Sequence, residues 1–250
     1  MDVTEIVSKA KKRNITPEVI KDEDGYYKIL FGKFNTFNRG GIFYRVKDIN
    51  AILGPGSLVA RRIDDGVLIN EKWHPETDGL SVAELRKATI MLDSENAVST
   101  TKSIEIVNTG KFEPGFNLPI YYIYGWVKPS GPKKDAIIDL LDNPHANVPY
   151  SVRSMVSQSR VGSIFIRDVL LVSTWDHVPE NGVKGATQWG AAGLEGLNTV
   201  IDYKDVKGMI AGFESNENMC EDGKCIINTL EKTMKDINKE DRILYEWANI

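Results

Sequence analysis

Residues 118–127 of this 250-residue chain read LPIYYIYGWV, and residues 163–173 read SIFIRDVLLVS. β-branched and aromatic side chains dominate both stretches, and such residues favour strands. Similar runs occur at 103–107 and 148–152. The centre of the chain is therefore predicted to be mainly β with interspersed helices, without the regular strand and helix alternation that builds a parallel sheet. We expect an α+β fold dominated by a closed or partly closed antiparallel sheet.

Hairpin and helix signals surround this centre. The alternating run 26–34 is joined to the run 42–46 by a turn rich in Asn and Gly, which predicts a hairpin or meander. Ser81 is followed three residues later by Glu84, the spacing of a capping box that opens a helix. Residues 131–141 begin with Gly-Pro and continue with aliphatic residues, and they predict a second helix.

The length and the composition favour one main domain with short extensions. Residues 1–20 are predicted to form an N-terminal helical extension, because apolar and basic residues there suit one or two amphipathic turns. Residues 21–203 are predicted to form the domain itself. Residues 204–250 are predicted to form a charged C-terminal tail that ends in a helix.

Charge and cysteine usage exclude several classes of function. The net charge of −4 and the pI of about 5.5 give no attraction to nucleic acids or to anionic membranes. Apolar runs such as 169–172 are far shorter than the roughly 18 residues of a membrane-spanning helix, and the first residues lack a signal-peptide pattern. Cys220 and Cys225 have no nearby histidines to complete a zinc site. We expect a cytoplasmic protein that uses no metal and no cofactor.

A histidine and a serine stand at positions where strands begin or end. His74 follows the apolar run 67–69, and Ser151 lies in PYSVRS, where a strand is predicted to begin. Arg153 shares a strand face with Ser151, because side chains alternate along a strand. Asp168 lies in an apolar strand, where a buried carboxylate is usually paired or functional. From the residues alone, a loop histidine, a structural serine and an exposed strand-end carboxylate remain open alternatives.

Four segments, in this order, resemble the prohead maturation proteases of tailed phages, which are relatives of the herpesvirus assemblins. The segments are NRGGIFY (38–44), NEKWHP (70–75), the block from YGWV (124–127) to PYSVR (149–153), and FIRDVLL (165–171). The second segment resembles the family's stretch ending in the catalytic His-Pro, and the third resembles its strand, turn, helix and nucleophile strand. The resemblance covers residues 25–180.

This resemblance implies a serine endopeptidase on an antiparallel β-barrel wrapped by helices. It assigns Ser151 as the nucleophile, His74 as the general base and Asp168 as the residue that orients the imidazole. The family's usual Ser-Ser-Arg-Gly reads SVRS here, which keeps the serine and the arginine and makes Ser154 the alternative nucleophile. Arg153 is the candidate donor to the oxyanion.

Several residues compete for the remaining roles. Asp176, His177 and Glu76 are alternatives to the predicted acidic member of the triad. His145 is the alternative base, although its Pro-His context at a helix end is typical of a surface turn. The sequence gives no distances, so it leaves these alternatives open.

The resemblance also implies substrates, partners and a location. Its members cleave scaffold and capsid proteins inside the assembling prohead, in the host cytoplasm, tend to act as homo-oligomers, and need no cofactor. They prefer to cut after Glu with an aliphatic residue two positions earlier. Glu246 in LYE and Glu71 in INE fit this pattern, which predicts self-cleavage at these positions. The alternatives are a non-catalytic scaffold or head protein with the same fold, and an unrelated hydrolase that uses Ser151.

Overall fold

The computed structural model describes residues 21–38, 40–143 and 146–179, and the backbone of 198–200. In this part of the chain the strands are β1 (Tyr27–Phe34), β2 (Thr36–Phe37), β3 (Phe43–Arg45), β4 (Ile69–Glu71), β5 (Ala97–Phe112), β6 (Pro119–Pro129), β7 (Tyr150–Val161), β8 (Ile164–His177) and β9 (Asn198–Val200). The helices are α1 (Ile49–Leu53), α2 (Leu58–Asp64), α3 (Val82–Ile90) and α4 (Asp135–Leu141), with a 3-10 turn at Ser94–Asn96. The predicted α+β class, mainly β, is confirmed.

The strands form two sheets that meet at β4 and β8. The first sheet has the order β1-β6-β5-β4 and is antiparallel throughout. The second has the order β2-β3-β8-β7-β9, and its centre is the long antiparallel hairpin of β7 and β8. A bridge between Lys72 and His177 joins the end of β4 to the end of β8, so the strands curl into a half-barrel. Two pairings in the second sheet, β3 with β8 and β7 with β9, are parallel.

Aromatic side chains between the two sheets fix the position of the β7 and β8 hairpin. Phe31 of β1 stacks on Trp175 of β8, with ring centroids 4.9 Å apart, and contacts Tyr150 of β7 at 5.1 Å. Gly125 of β6 allows this approach, since a Cβ there would lie 2.0 Å from the Phe31 ring. Side chains alternate along a strand, so the residues next to Tyr150 and Trp175 point to the opposite face. That face carries the candidate site.

Three of the four helices described begin at a side-chain cap, and one of these caps is predicted from the sequence. The capping box of α3 is present: Ser81 Oγ accepts the N–H of Glu84, and the Glu84 carboxylate accepts the N–H of Ser81 at 2.8 Å. Two short helices, α1 and α2, are absent from the predictions. They are capped by Asp48 and Ser57. A Gly-Pro-Gly turn separates them, and because such residues are typical of loops, the sequence does not indicate the short helices on either side.

Some predictions fall on residues that the structure does not describe. These are the N-terminal extension 1–20, the C-terminal tail 204–250 with Glu246, and His145. In the ranges that are described, no helix is long and apolar enough to cross a membrane.

Candidate active site

His74 lies just after β4, where the chain leaves the sheet in a constrained turn. Trp73 has a φ of 69°, a left-handed backbone conformation that is unfavourable for a residue with a side chain. Its N–H donates to the carbonyl of His177 at 2.7 Å, and the N–H of Lys72 donates to the carbonyl of Asn96 at 2.8 Å. These bonds hold the turn in place and bring the imidazole of His74 against β8.

The imidazole of His74 contacts Asp176, one of the three alternatives to Asp168. The distance from His74 Nδ1 to Asp176 Oδ2 is 2.6 Å, and the Asp176 side chain is fully buried. Asp176 also accepts two hydrogen bonds from the Arg153 guanidinium, so we assign it as a carboxylate. A carboxylate only accepts, so Nδ1 of His74 carries a proton, and in the neutral imidazole Nε2 then has the lone pair. Nε2 is buried and has no hydrogen-bond partner in the part of the chain described.

Ser151 lies on β7, directly opposite Asp176 on β8. Directly opposed residues of an antiparallel pair point to the same face, with Cβ atoms about 5 Å apart. Ser151 is completely buried, and its Oγ has no hydrogen-bond partner among the described residues. Ser151 is thus the cross-strand neighbour of Asp176, and His74 is hydrogen-bonded to the same residue. Among the described residues each leaves one polar atom unpaired, a hydroxyl that can donate a proton and an imidazole nitrogen that can accept one, and no hydrogen bond joins the two.

Arg153 shares this face and is completely buried. Its Nε and Nη2 each donate to Asp176 at 2.8 Å. Its Nη1 donates to Glu71 at 3.0 Å and to the carbonyl of Met91 at 3.1 Å, and its Nη2 lies 2.9 Å from the second oxygen of Glu71. Burial lowers the pKa of Arg153, but the two carboxylates outweigh this effect and raise it overall.

This geometry does not support the prediction that Arg153 donates to the oxyanion. All three guanidinium nitrogens already donate to acceptors within the protein, so none is directed at a substrate carbonyl. Arg153 instead orients Asp176, which it grips through two parallel hydrogen bonds.

The structure places Asp168 away from His74, which does not support its predicted role. This residue lies opposite Ser157 on the β7 and β8 hairpin, eight residues before Asp176. At about 3.3 Å per residue, the two carboxylates are separated by roughly 25 Å along the strand. Asp168 is buried and pairs with Arg45 through two hydrogen bonds of 2.5 and 2.8 Å. The expectation that a buried carboxylate here is paired or functional is met by the ion pair.

His177 and Ser154 are further candidates on this hairpin. His177 is opposite Tyr150, on the reverse face of the hairpin, and its Nδ1 is 3.0 Å from the carbonyl oxygen of Pro149. Ser154 lies beyond a register shift that follows Arg153.

Glu71 has a structural contact that the sequence analysis missed. Its carboxylate is buried, pairs with Arg153 and accepts the N–H of Asp93 at 2.8 Å. The peptide bond between Glu71 and Lys72 belongs to the constrained turn, and its N–H donates to the carbonyl of Asn96. Self-cleavage after Glu71 would require this part of the fold to open first, so the geometry does not support that prediction. The sequence offers one signal for a role of Glu71 at the site: an acidic residue stands at a predicted strand end, three residues before His74.

His177 provides a prediction for the stability of the fold. Burial lowers its pKa below the ordinary value of 6.5, a shift that the Pro149 carbonyl opposes and Lys72 reinforces. The folded protein therefore keeps His177 neutral, whereas the unfolded chain binds a proton as the pH falls through about 6.5. Stability is lost on acidification. We expect His177→Gln to lose less unfolding free energy than the wild type between pH 7.5 and 5.5. Urea titrations at both values measure this, and equal losses would contradict it.

Comparisons with known proteins identify the family of this chain. The Peptidase S80 family matches residues 4–241. The capsid maturation protease of Pseudomonas phage phiKZ is 32% identical over 183 residues, which cover 71% of this chain and 66% of the phage protein. This chain therefore spans just under two thirds of that relative's length. No solved structure is significantly similar to this chain. The resemblance to phage prohead proteases is confirmed, and the chain belongs to the Peptidase S80 family.

Proposed function

We propose that this chain is a serine endopeptidase that cleaves proteins of an assembling phage head. The observation that carries the proposal is the hydrogen bond from His74 Nδ1 to the buried Asp176, which leaves His74 Nε2 unpaired. The unpaired hydroxyl of Ser151 lies opposite the same carboxylate. The family membership and the name of the phiKZ relative support the same activity.

In the proposed mechanism Ser151 is the nucleophile and His74 is the general base. Ser151 Oγ attacks the scissile carbonyl carbon while Nε2 of His74 takes the hydroxyl proton. The imidazolium then gives this proton to the leaving amine, the peptide bond breaks, and an acyl-enzyme remains on Ser151. A water molecule, deprotonated by His74, attacks the ester, and the returned proton restores the serine.

Asp176 takes the role that the sequence assigned to Asp168. It holds the proton on Nδ1 of His74, fixes the plane of the ring and stabilises the imidazolium that forms during attack. Arg153 holds Asp176 in position through its two hydrogen bonds.

The substrates that we propose are capsid and scaffold proteins, cut inside the prohead in the host cytoplasm. The phiKZ relative is a capsid maturation protease, and this name supports the substrate class. We propose cleavage after Glu with an aliphatic residue two positions earlier, and self-cleavage after Glu246, which would release residues 247–250. Action as a homo-oligomer would make activity depend on the concentration reached inside the shell.

Co-production of the chain with the head proteins of its own virus tests this proposal. Mass spectrometry of the products is compared between untreated samples and samples exposed to diisopropyl fluorophosphate, a small reagent for activated serines. We expect new protein ends after Glu in untreated samples and none in treated samples. Intact-mass measurement of the chain itself tests the loss of residues 247–250. The absence of cleavage would favour the alternative that this chain is a non-catalytic head protein. Cleavage that continues after treatment with diisopropyl fluorophosphate would exclude a serine enzyme.

A further inference from the structure

We propose that Glu71 is a positioning residue that acts on the catalytic histidine through Arg153. It holds the guanidinium against Asp176 and supplies a second negative charge, so that the charge of Asp176 remains available to His74. This inference rests on the proposed function.

Glu71 and Asp176 grip the same guanidinium from two sides. The Glu71 oxygens lie 3.0 Å from Nη1 and 2.9 Å from Nη2 of Arg153. The Asp176 oxygens lie 2.8 Å from Nε and 2.8 Å from Nη2. Each carboxylate therefore makes a bidentate contact, a geometry that fixes the guanidinium in its plane as well as in its position.

Further contacts hold Glu71 in this arrangement. Its Oε1 also accepts the N–H of Asp93 at 2.8 Å, and its own N–H points to Asp176 Oδ1 at 3.4 Å. Glu71 is 2% exposed, and the Arg153 and Asp176 side chains are fully buried. Water therefore screens these charges weakly, and the balance between them decides the field at His74.

The charge balance requires Glu71. Arg62 of α2 is a second buried guanidinium near the cluster, and it donates to Ser173 and to the carbonyl of Ile90. Burial and the positive charges around it, including that of Arg153, lower the pKa of Arg62 to about 10, while Glu71 acts in the opposite direction. Without Glu71, Asp176 would be the remaining carboxylate bonded to Arg153, and the nearby positive charge of Arg62 would no longer be offset by Glu71.

Loss of the Glu71 charge should therefore destabilise the protonated form of His74. The imidazolium forms when Ser151 is activated, and its stability depends on net negative charge beside it. In Glu71→Gln the acid limb of the pH profile for Ser151 reactivity should move to lower pH by about one unit, because the His74 imidazole then binds its second proton less tightly. The maximal rate should fall about tenfold, the factor that one unit represents.

The test measures the rate at which diisopropyl fluorophosphate labels the full chain, across pH values from about 5 to 9. Wild type, Glu71→Gln and Glu71→Asp are compared with Asp168→Asn. The last variant breaks the buried pair with Arg45 far from the site, so it controls for lost stability. We expect a displaced acid limb in Glu71→Gln, and wild-type limbs in Glu71→Asp, which keeps the charge, and in Asp168→Asn.

The outcomes separate this inference from the proposed function. If wild type is labelled and the acid limb of Glu71→Gln coincides with that of wild type, the role of Glu71 is overturned while the protease stands. The same conclusion follows if Glu71→Asp shifts as far as Glu71→Gln, or if Asp168→Asn shifts as well. If Glu71→Gln does not fold, Glu71→Asn is compared with the isosteric Glu71→Asp: a displaced acid limb in Glu71→Asn alone is expected, and coincident limbs would overturn the role of Glu71. If wild type is not labelled at any pH, the proposed function fails, and this inference fails with it.

Discussion

Replacing Ser151 with alanine is expected to abolish cleavage of head proteins, with a fall in kcat of about 10⁶-fold. Without the hydroxyl there is no acyl-enzyme, and the remaining groups can only orient a substrate. The measurement is the appearance of new protein ends over time, with Ser154→Ala as the matched control. We expect Ser154→Ala to retain activity, since Ser154 lies beyond the register shift.

The same substitution should not weaken the fold. Ser151 Oγ is buried and has no hydrogen-bond partner in the described ranges, so its removal takes away a polar atom whose desolvation is uncompensated. The free energy of unfolding should stay unchanged or rise by up to about 1 kcal/mol, as measured by urea denaturation. Residual cleavage above background, or a clear loss of stability, would show that Ser151 serves the structure rather than the chemistry.

Replacing Asp176 with asparagine should lower kcat by about 10⁴-fold. An asparagine amide can donate to Nδ1 of His74, which would leave the proton on Nε2 and remove the acceptor that Ser151 needs. It also removes one of the two carboxylates of Arg153, and breaking a buried ion pair costs about 3–5 kcal/mol of unfolding free energy. Activity must therefore be expressed per folded molecule.

Asp168→Asn is the control for this effect. It breaks the ion pair with Arg45. The Arg45 side chain is 11% exposed and that of Asp168 is 7% exposed, so a loss of stability is expected here too. Its activity per folded molecule should equal that of the wild type. Loss of activity in Asp168→Asn with retention in Asp176→Asn would reverse the assignment of the acidic residue.

The choice between Asp168 and Asp176 shows what the sequence could not provide. Both are acidic residues in one strand, eight positions apart, and their types and neighbours do not distinguish them. The deciding fact is the register of β7 and β8, which puts Asp176 opposite Ser151 and Asp168 opposite Ser157. The turn between the two strands sets their register at one end, but two irregularities shift it along the hairpin, and residue spacing does not reveal these.

The contact between Glu71 and Arg153 could not be predicted for a related reason. Each was given a function from a short local pattern, Glu71 as a cleavage site and Arg153 as an oxyanion donor. Their contact joins β4 of one sheet to β7 of the other, across 82 residues of chain. Only the meeting of the two sheets makes them partners and uses all the donors of the guanidinium.

Local patterns were more informative about the fold. Alternating and β-branched runs predicted the long strands, and the Ser81 capping box predicted α3, because both signals act within a few residues. The parallel pairing of β3 with β8 was not predicted. Its partners, such as Phe43 and Ile166, are more than 100 residues apart, and neither strand carries a sign of the other.

The most direct measurement of the central claim is the site of labelling by diisopropyl fluorophosphate, located by tandem mass spectrometry of the digested protein. The account predicts one adduct, on Ser151, in wild type and in Asp168→Asn, and none in His74→Ala, because only a serine activated by the imidazole reacts readily. No adduct in wild type, an adduct on another serine, or equal labelling in His74→Ala would contradict it.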